Sequence, residues 1–117
     1  MPVINVYSSA NPPERSQADE LLLSLSQTVS KVLGKPERYV MTCLMPTLGM
    51  TFGGTQEPAC FVELKSIGQM SSTTTQQLSA AICQRLEAGL GVRSDRIYIE
   101  FTEAQGHLWG WNGSTFG

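Results

Sequence analysis

Apolar and polar positions along the chain sort into four short β-type runs and two long amphipathic stretches. Val3 to Tyr7 is the first such run, and Asn11, Pro12 and Pro13 follow it, where proline stops a strand and sets up a helix start. From about Ser16 to Leu33, the residues Leu22, Leu25, Val29 and Val32, with Leu33, recur at three- and four-residue steps, which predicts one buried helix face. Gly34 stands where a C-terminal cap is wanted, Lys35 lies at the negative end of the helix dipole, and Pro36 forbids continuation. Tyr39 to Met45 predicts a second strand, ended by Pro46, and residues 46–58, with three glycines and Pro58, predict a loop. Cys60 to Leu64 predicts a third strand. Ser71 to Thr75 offers N-cap chemistry to a second helix that carries Leu78, Ile82, Leu86 and Leu90 and ends at Gly91. Ile97 to Phe101 predicts a fourth strand, followed by a glycine- and aromatic-rich tail of turns and short extended pieces.

The order is β-α-β, loop, β-α-β, and the two halves resemble each other locally. GKPERYV at Gly34 to Val40 matches VRSDRIYI at Val92 to Ile99: each places an acidic residue and an arginine ahead of a strand with a leading tyrosine. Arg38 and Arg96 lie 58 positions apart (96 − 38), and the same offset carries Cys60 back onto Pro2. Pro2 therefore opens the first strand of a pseudo-repeat, about 2–46 against 58–102, with residues 103–117 as a tail of one α/β domain spanning 1–117. Two such units predict a four-stranded sheet with both helices on one face. In a chain this short the partner expected on the other face is a second copy of itself.

Composition narrows the function. With 15% charged residues and a formal net charge of −2, the chain has no basic face for nucleic acid. The uncharged interval after Tyr39 is broken by Pro46 and glycines, so no membrane span is expected. Pro12, Pro13, Glu14 and Arg15 come too early for a signal peptide, which points to a cytoplasmic protein, or one released without such a peptide. Cys43, Cys60 and Cys83 form no CxxC pair and are expected as buried free thiols. His107 is the only histidine, too little for a metal ligand set.

Pro2 is the first candidate for chemistry. Proline is small enough for the initiator Met to be removed, which would leave a free secondary amine at a strand start. An exposed α-amine titrates at about 7.7–8.0, and burial or a neighbouring cation lowers that value by disfavouring the ammonium. Such an amine is a general base without histidine.

The stretches MPVINV, GKPERY, P-x-L-x-M-x-FGG at Pro46 to Gly54, Glu57-Pro58, SIG at Ser66 to Gly68, SDRIYI and GWNGSTFG resemble the macrophage migration inhibitory factor family of the tautomerase superfamily. The resemblance runs nearly end to end, with two extra residues in the Asn11 to Arg15 loop. It implies a homotrimer of β-α-β repeats with a cofactor-free active site at each subunit interface, acting on phenylpyruvate-like aromatic α-keto acids. Pro2 matches the catalytic proline and Lys35 the lysine that holds the substrate carboxylate. Ser66 and Ile67 match the SIG wall and backbone amide, Tyr98 a pocket tyrosine from a neighbouring subunit, and Tyr39 an aromatic at the rim. Trp111 and Phe116 match C-terminal aromatics at the pocket mouth. Read alone, Lys35 is a helix-end cation, Ile67 a residue following a strand, and the aromatics are packing.

Three positions depart from the family pattern. Glu100 replaces an asparagine of the vertebrate members, and a carboxylate in the pocket would favour the protonated proline and repel an anionic substrate. Trp109 replaces a smaller aliphatic residue and predicts a narrower pocket. Ala59 and Val62 fill the two positions of a CxxC pair, so no thiol-disulfide chemistry of that type is expected. The alternative reading is a cytokine-like interaction protein, recognised by a protein receptor, whose pocket is vestigial.

Overall fold

A computed structural model describes residues 1–117. The principal elements are β1 (Val3–Ser8), α1 (Arg15–Leu33), β2 (Met41–Pro46), β3 (Cys60–Ile67), α2 (Ser72–Leu90) and β4 (Ile97–Ala104). Two short strands, β5 (Gly110–Trp111) and β6 (Ser114–Thr115), lie in the tail. The sheet order is β2-β1-β3-β4. β1 runs parallel to β2 and β3 parallel to β4, while β1 and β3 meet antiparallel at the centre, with Ile4 opposite Leu64 and Val6 opposite Val62. Two right-sized βαβ units thus share one mixed sheet.

Period-two burial assigns the faces. Ile4, Val6 and Ser8 of β1 and Cys60, Val62, Leu64 and Ser66 of β3 are buried. The apolar ones among them share one core with Leu25 and Val29 of α1 and Leu78, Ile82 and Leu86 of α2. Both helices therefore cover the same sheet face. The expected α1 stripe shifts by one position: Leu21 is buried, whereas Leu22 is only half-buried. Gly89 of α2 explains the shift, because a Cβ there would come within 2.9 Å of Leu21 Cδ1, so Leu21 occupies the room that glycine leaves between the helices.

The strand limits also move. The second strand starts at Met41, because Glu37–Tyr39 forms a 3₁₀ turn first. The third and fourth run three residues further than expected, through Ile67 and Ala104, since a parallel ladder from Cys60↔Ile97 to Ile67↔Ala104 satisfies their backbones. Ile67 is thus a strand residue rather than one beyond the strand.

The opposite sheet face is not uniformly apolar. Its middle row, Asn5, Glu63 and Glu100, is polar by register, and Tyr7 donates to Glu63 Oε1 at 3.2 Å. The adjoining row stacks Tyr7 on Phe61 at 6.1 Å. No helix is long and apolar enough to cross a membrane.

Candidate active site

Pro2 enters β1 fully buried, and its carbonyl accepts the Met41 amide at 3.0 Å, which ties the start of β1 to β2. Met1 is present, so the nitrogen of Pro2 is an amide and the Met1 ammonium stands in for the amine that cleavage would expose. That ammonium is held below its ordinary value of 8.0, first by burial and then by the Lys35 cation.

Lys35 is placed by the end of α1. Gly34 turns the chain with φ +66°, a conformation glycine adopts without penalty, and Lys35 N–H then donates to Ser30 O at 3.1 Å. The Ser30 hydroxyl returns a 2.6 Å bond to Lys35 O. With its backbone pinned, the side chain reaches the second repeat, where Nζ donates to Ser66 Oγ at 2.8 Å and to Ile67 O. Ser66 is only 1% exposed. No carboxylate pairs with this ammonium, and burial pulls Lys35 below the usual lysine value. Two neutral acceptors leave its charge uncompensated, a condition that suits an incoming anion.

A cavity of about 140 Å³ opens beside Pro2, walled by Tyr39, Met41, Trp109, Trp111 and Phe116. The tail builds this wall through an Asn112-Gly113 turn with φ +51° and +77° between β5 and β6. Both central residues are left-handed, as a two-residue hairpin of the type I′ class requires. The hairpin lays Trp111 on Phe116, nearly parallel at 5.6 Å, and sets Tyr39 edge-on to Trp111 at 5.3 Å and to Phe116 at 5.9 Å. Phe116 N–H closes the tail onto Trp109 O at 3.2 Å.

One chain thus brings together Pro2, Tyr39, Trp109, Trp111 and Phe116 around the cavity, and Lys35, Ser66 and Ile67 in a polar cluster whose charge reaches the amine. Tyr98 and Glu100 are not among them. They lie on β4 on the opposite sheet face, Glu100 beside Glu63 and two strands away from β1, about 10 Å across. Within a chain, Glu100 does not face Pro2. Val3 and Met41 also line the cavity; their alternation with buried Ile4 and half-buried Thr42 was the signal that they point elsewhere than the core. Of the cysteines, only Cys60 is fully buried; Cys43 and Cys83 are half-buried, and all three are free. Burial pushes the Cys60 and Cys83 thiols up, away from thiolate chemistry.

The family model described as macrophage migration inhibitory factor matches residues 1–117. The chain belongs to the macrophage migration inhibitory factor family. It is 38% identical to a macrophage migration inhibitory factor homolog of Trichuris trichiura, over 92% of this chain and 95% of that one. A solved homologue from Prochlorococcus marinus shares 48% identity at a TM-score of 0.91, covering 98% of this chain and 99% of its own. The Toxoplasma gondii protein superposes at 0.93 with 33% identity, over 97% and 99%. The two-helix, four-stranded mixed sheet is the arrangement these family structures share.

Proposed function

We propose that the chain, freed of Met1, is a cofactor-free keto-enol tautomerase of phenylpyruvate-like α-keto acids, with Pro2 as general base. The observation that carries the reading is the placement of Pro2 on an aromatic-walled cavity, at a chain start where the Met1 ammonium, standing one residue before the prolyl nitrogen, is disfavoured by burial and by the Lys35 cation. Lys35 and the Ile67 backbone hold the substrate carboxylate, and the aromatic walls take the phenyl ring. The neutral prolyl nitrogen removes a proton from the carbon α to the carbonyl. The C–H pair moves into a new C=C bond, and negative charge develops on the former keto oxygen beside the Lys35 cation. Return of the proton to that oxygen gives the enol; the reverse path regenerates the ketone.

Tyr98 and Glu100 enter this site from a neighbouring copy in a homotrimer, which their position on the uncovered sheet face supports. Glu100 then sets the ionic character of the distal pocket, and Trp109 its width. The location proposed for the polypeptide is the cytoplasm. A second reading, recognition by a protein receptor, is supported by the names of the relatives and by Leu48, fully exposed on the loop before β3.

The deciding experiment measures phenylpyruvate enolisation, with intact mass establishing Met1 removal. Loss of activity in both Pro2→Gly and a form with the amine blocked by an N-terminal extension is expected; unchanged rates in both overturn the reading. A receptor role is tested by Leu48→Asp, which should weaken ectodomain binding and leave enolisation intact.

A further inference from the structure

Arg96 is a buried cation that the proposed mechanism does not use. It is 8% exposed, yet no carboxylate lies in ion-pair range. Its guanidinium instead takes four main-chain carbonyls of the loop before β3: Nε donates to Pro58 O at 3.0 Å and Nη1 to Phe52 O at 3.2 Å. Nη2 donates to Glu57 O at 2.9 Å and to Thr55 O at 3.4 Å. A planar fork of five N–H donors can address separate acceptors in this way, which a lysine ammonium cannot.

The carbonyls it holds belong to a defined turn. Phe52 and Thr55 exchange backbone bonds of 3.0 and 3.1 Å around Gly53 and Gly54, whose φ values of +60° and +79° only glycine accepts easily. Arg96 thus fastens the base of a two-residue hairpin, and its guanidinium carbon also lies 5.4 Å from the Phe52 ring centre. The Phe52 ring also meets Tyr98 at 4.8 Å, tilted by 57°. Tyr98 is 65% exposed, so the core does not hold its ring. Phe52 is the aromatic partner that does.

The geometry points to Arg96 as a positioning residue: it clasps the Phe52–Pro58 segment and, through Phe52, sets the angle at which Tyr98 is presented to a neighbouring copy's pocket. The effect on activity rests on the reading of Tyr98 given above; the clasp itself does not.

Three tyrosines make the test tractable, because ring resonances of tyrosine-labelled protein are few and Tyr98→Phe assigns one of them. Arg96→Lys is expected to move the Tyr98 ring resonance toward its position in Phe52→Leu, while those of Tyr7 and Tyr39 stay. For phenylpyruvate, Arg96→Lys should raise KM about tenfold and change kcat less than about twofold, as misplacement of a wall requires. The KM effects of Arg96→Lys and Phe52→Leu should be non-additive. An unmoved Tyr98 resonance overturns the clasp, whether or not the protein is a tautomerase. A moved resonance with unchanged KM, where Tyr98→Ala raises KM, overturns the link to the site. Absence of enolisation in the parent protein fails the proposed function alone, and the ring resonances still decide the clasp. Should Arg96→Lys not fold, Phe52→Leu, which keeps the guanidinium, must itself shift Tyr98 and KM or the inference falls.

Discussion

The two βαβ halves are built alike and used differently. Each ends its helix on a left-handed glycine, Gly34 or Gly91, then makes a 3₁₀ turn and a parallel strand. At matching positions Arg38 is exposed and stacks on Tyr39 at 4.9 Å, whereas Arg96 is buried against four carbonyls. The strand starts diverge as well. Both are buried, but Cys60 follows directly on the clasped loop, while Pro2 borders a cavity walled by the tail. Duplicated secondary structure supplies a scaffold, and the segments laid beside it decide which strand start borders a cavity.

The sharpest way to break this contrast is to alter the strand starts themselves. Pro2→Gly should lower kcat/KM for phenylpyruvate by about 10²–10³-fold, the range of a lost general base. Ala at Cys60 should leave kcat/KM within about twofold, since nothing in its surroundings serves chemistry. Equal losses at both positions would erase the distinction.

The next largest effect concerns the cations. Lys35→Ala should reduce kcat/KM about 10–100-fold, mainly through KM, because a charge-assisted carboxylate contact is lost. It should also move the acid limb of the pH profile. The base works neutral, so activity falls as pH drops through the amine's pKa. Burial and then the like charge of Lys35 lower the pKa of the Met1 ammonium at this chain start, so with the prolyl amine in its place removal of Lys35 should raise the pKa and shift the limb to higher pH. A limb that stays in place, or moves down, would show that Lys35 does not act on the amine.

Third, Arg96→Ala should cost about 2–4 kcal/mol in urea unfolding, because Pro58 and Glu57 carbonyls lose their partners and the loop loses its buried anchor. Arg38→Ala should cost under about 1 kcal/mol, as an exposed ring contact does. Matching losses would mean that the shared arginine does the same work in both halves.

Much of the scaffold was legible in the residues. The 58-residue offset, the helix-ending glycines and the four β-type runs anticipated the β-α-β order and the shared helix face. The strand ends were not, because Lys65 to Ile67 and Thr102 to Ala104 gain their strand character from pairing with each other rather than from local composition. Leu21 was missed for a similar reason: its burial depends on Gly89, sixty-eight positions away (89 − 21). At the site, Pro2 was expected from its place at a strand start, whereas Lys35 read alone is a helix-end cation, because its contacts with Ser66 and Ile67 cross between halves. The turns and short extended pieces expected of the tail are the Asn112-Gly113 hairpin, whereas the Gly53-Gly54 pair, equally a hairpin signal, lies in a segment expected only as loop. Nothing local in Tyr98 or Glu100 says that they lie away from Pro2; the register across three strands does.

The smallest predicted effect separates the two helix starts. Ser71 caps α2, its Oγ accepting Thr74 N–H at 3.1 Å, and the preceding Met70 N–H donates to Glu103 Oε2 at 2.7 Å. Glu14 stands at the same place before α1 with no side-chain bond. Ser71→Ala therefore leaves an orphan amide and should cost about 1 kcal/mol, a fall of about 3–5 °C in melting temperature for a chain of this size. Glu14→Ala removes no cap and should stay within about 0.5 kcal/mol. The asymmetry matters for the site, because the residues between Ile67 and Ser71 carry the carbonyl that Lys35 grips into the start of α2. Loosening that turn in Ser71→Ala should raise KM for phenylpyruvate slightly, about twofold, whereas Glu14→Ala, at the far end of α1, should not. A larger thermal loss from Glu14→Ala than from Ser71→Ala would show that the second half is not the more firmly fastened of the two.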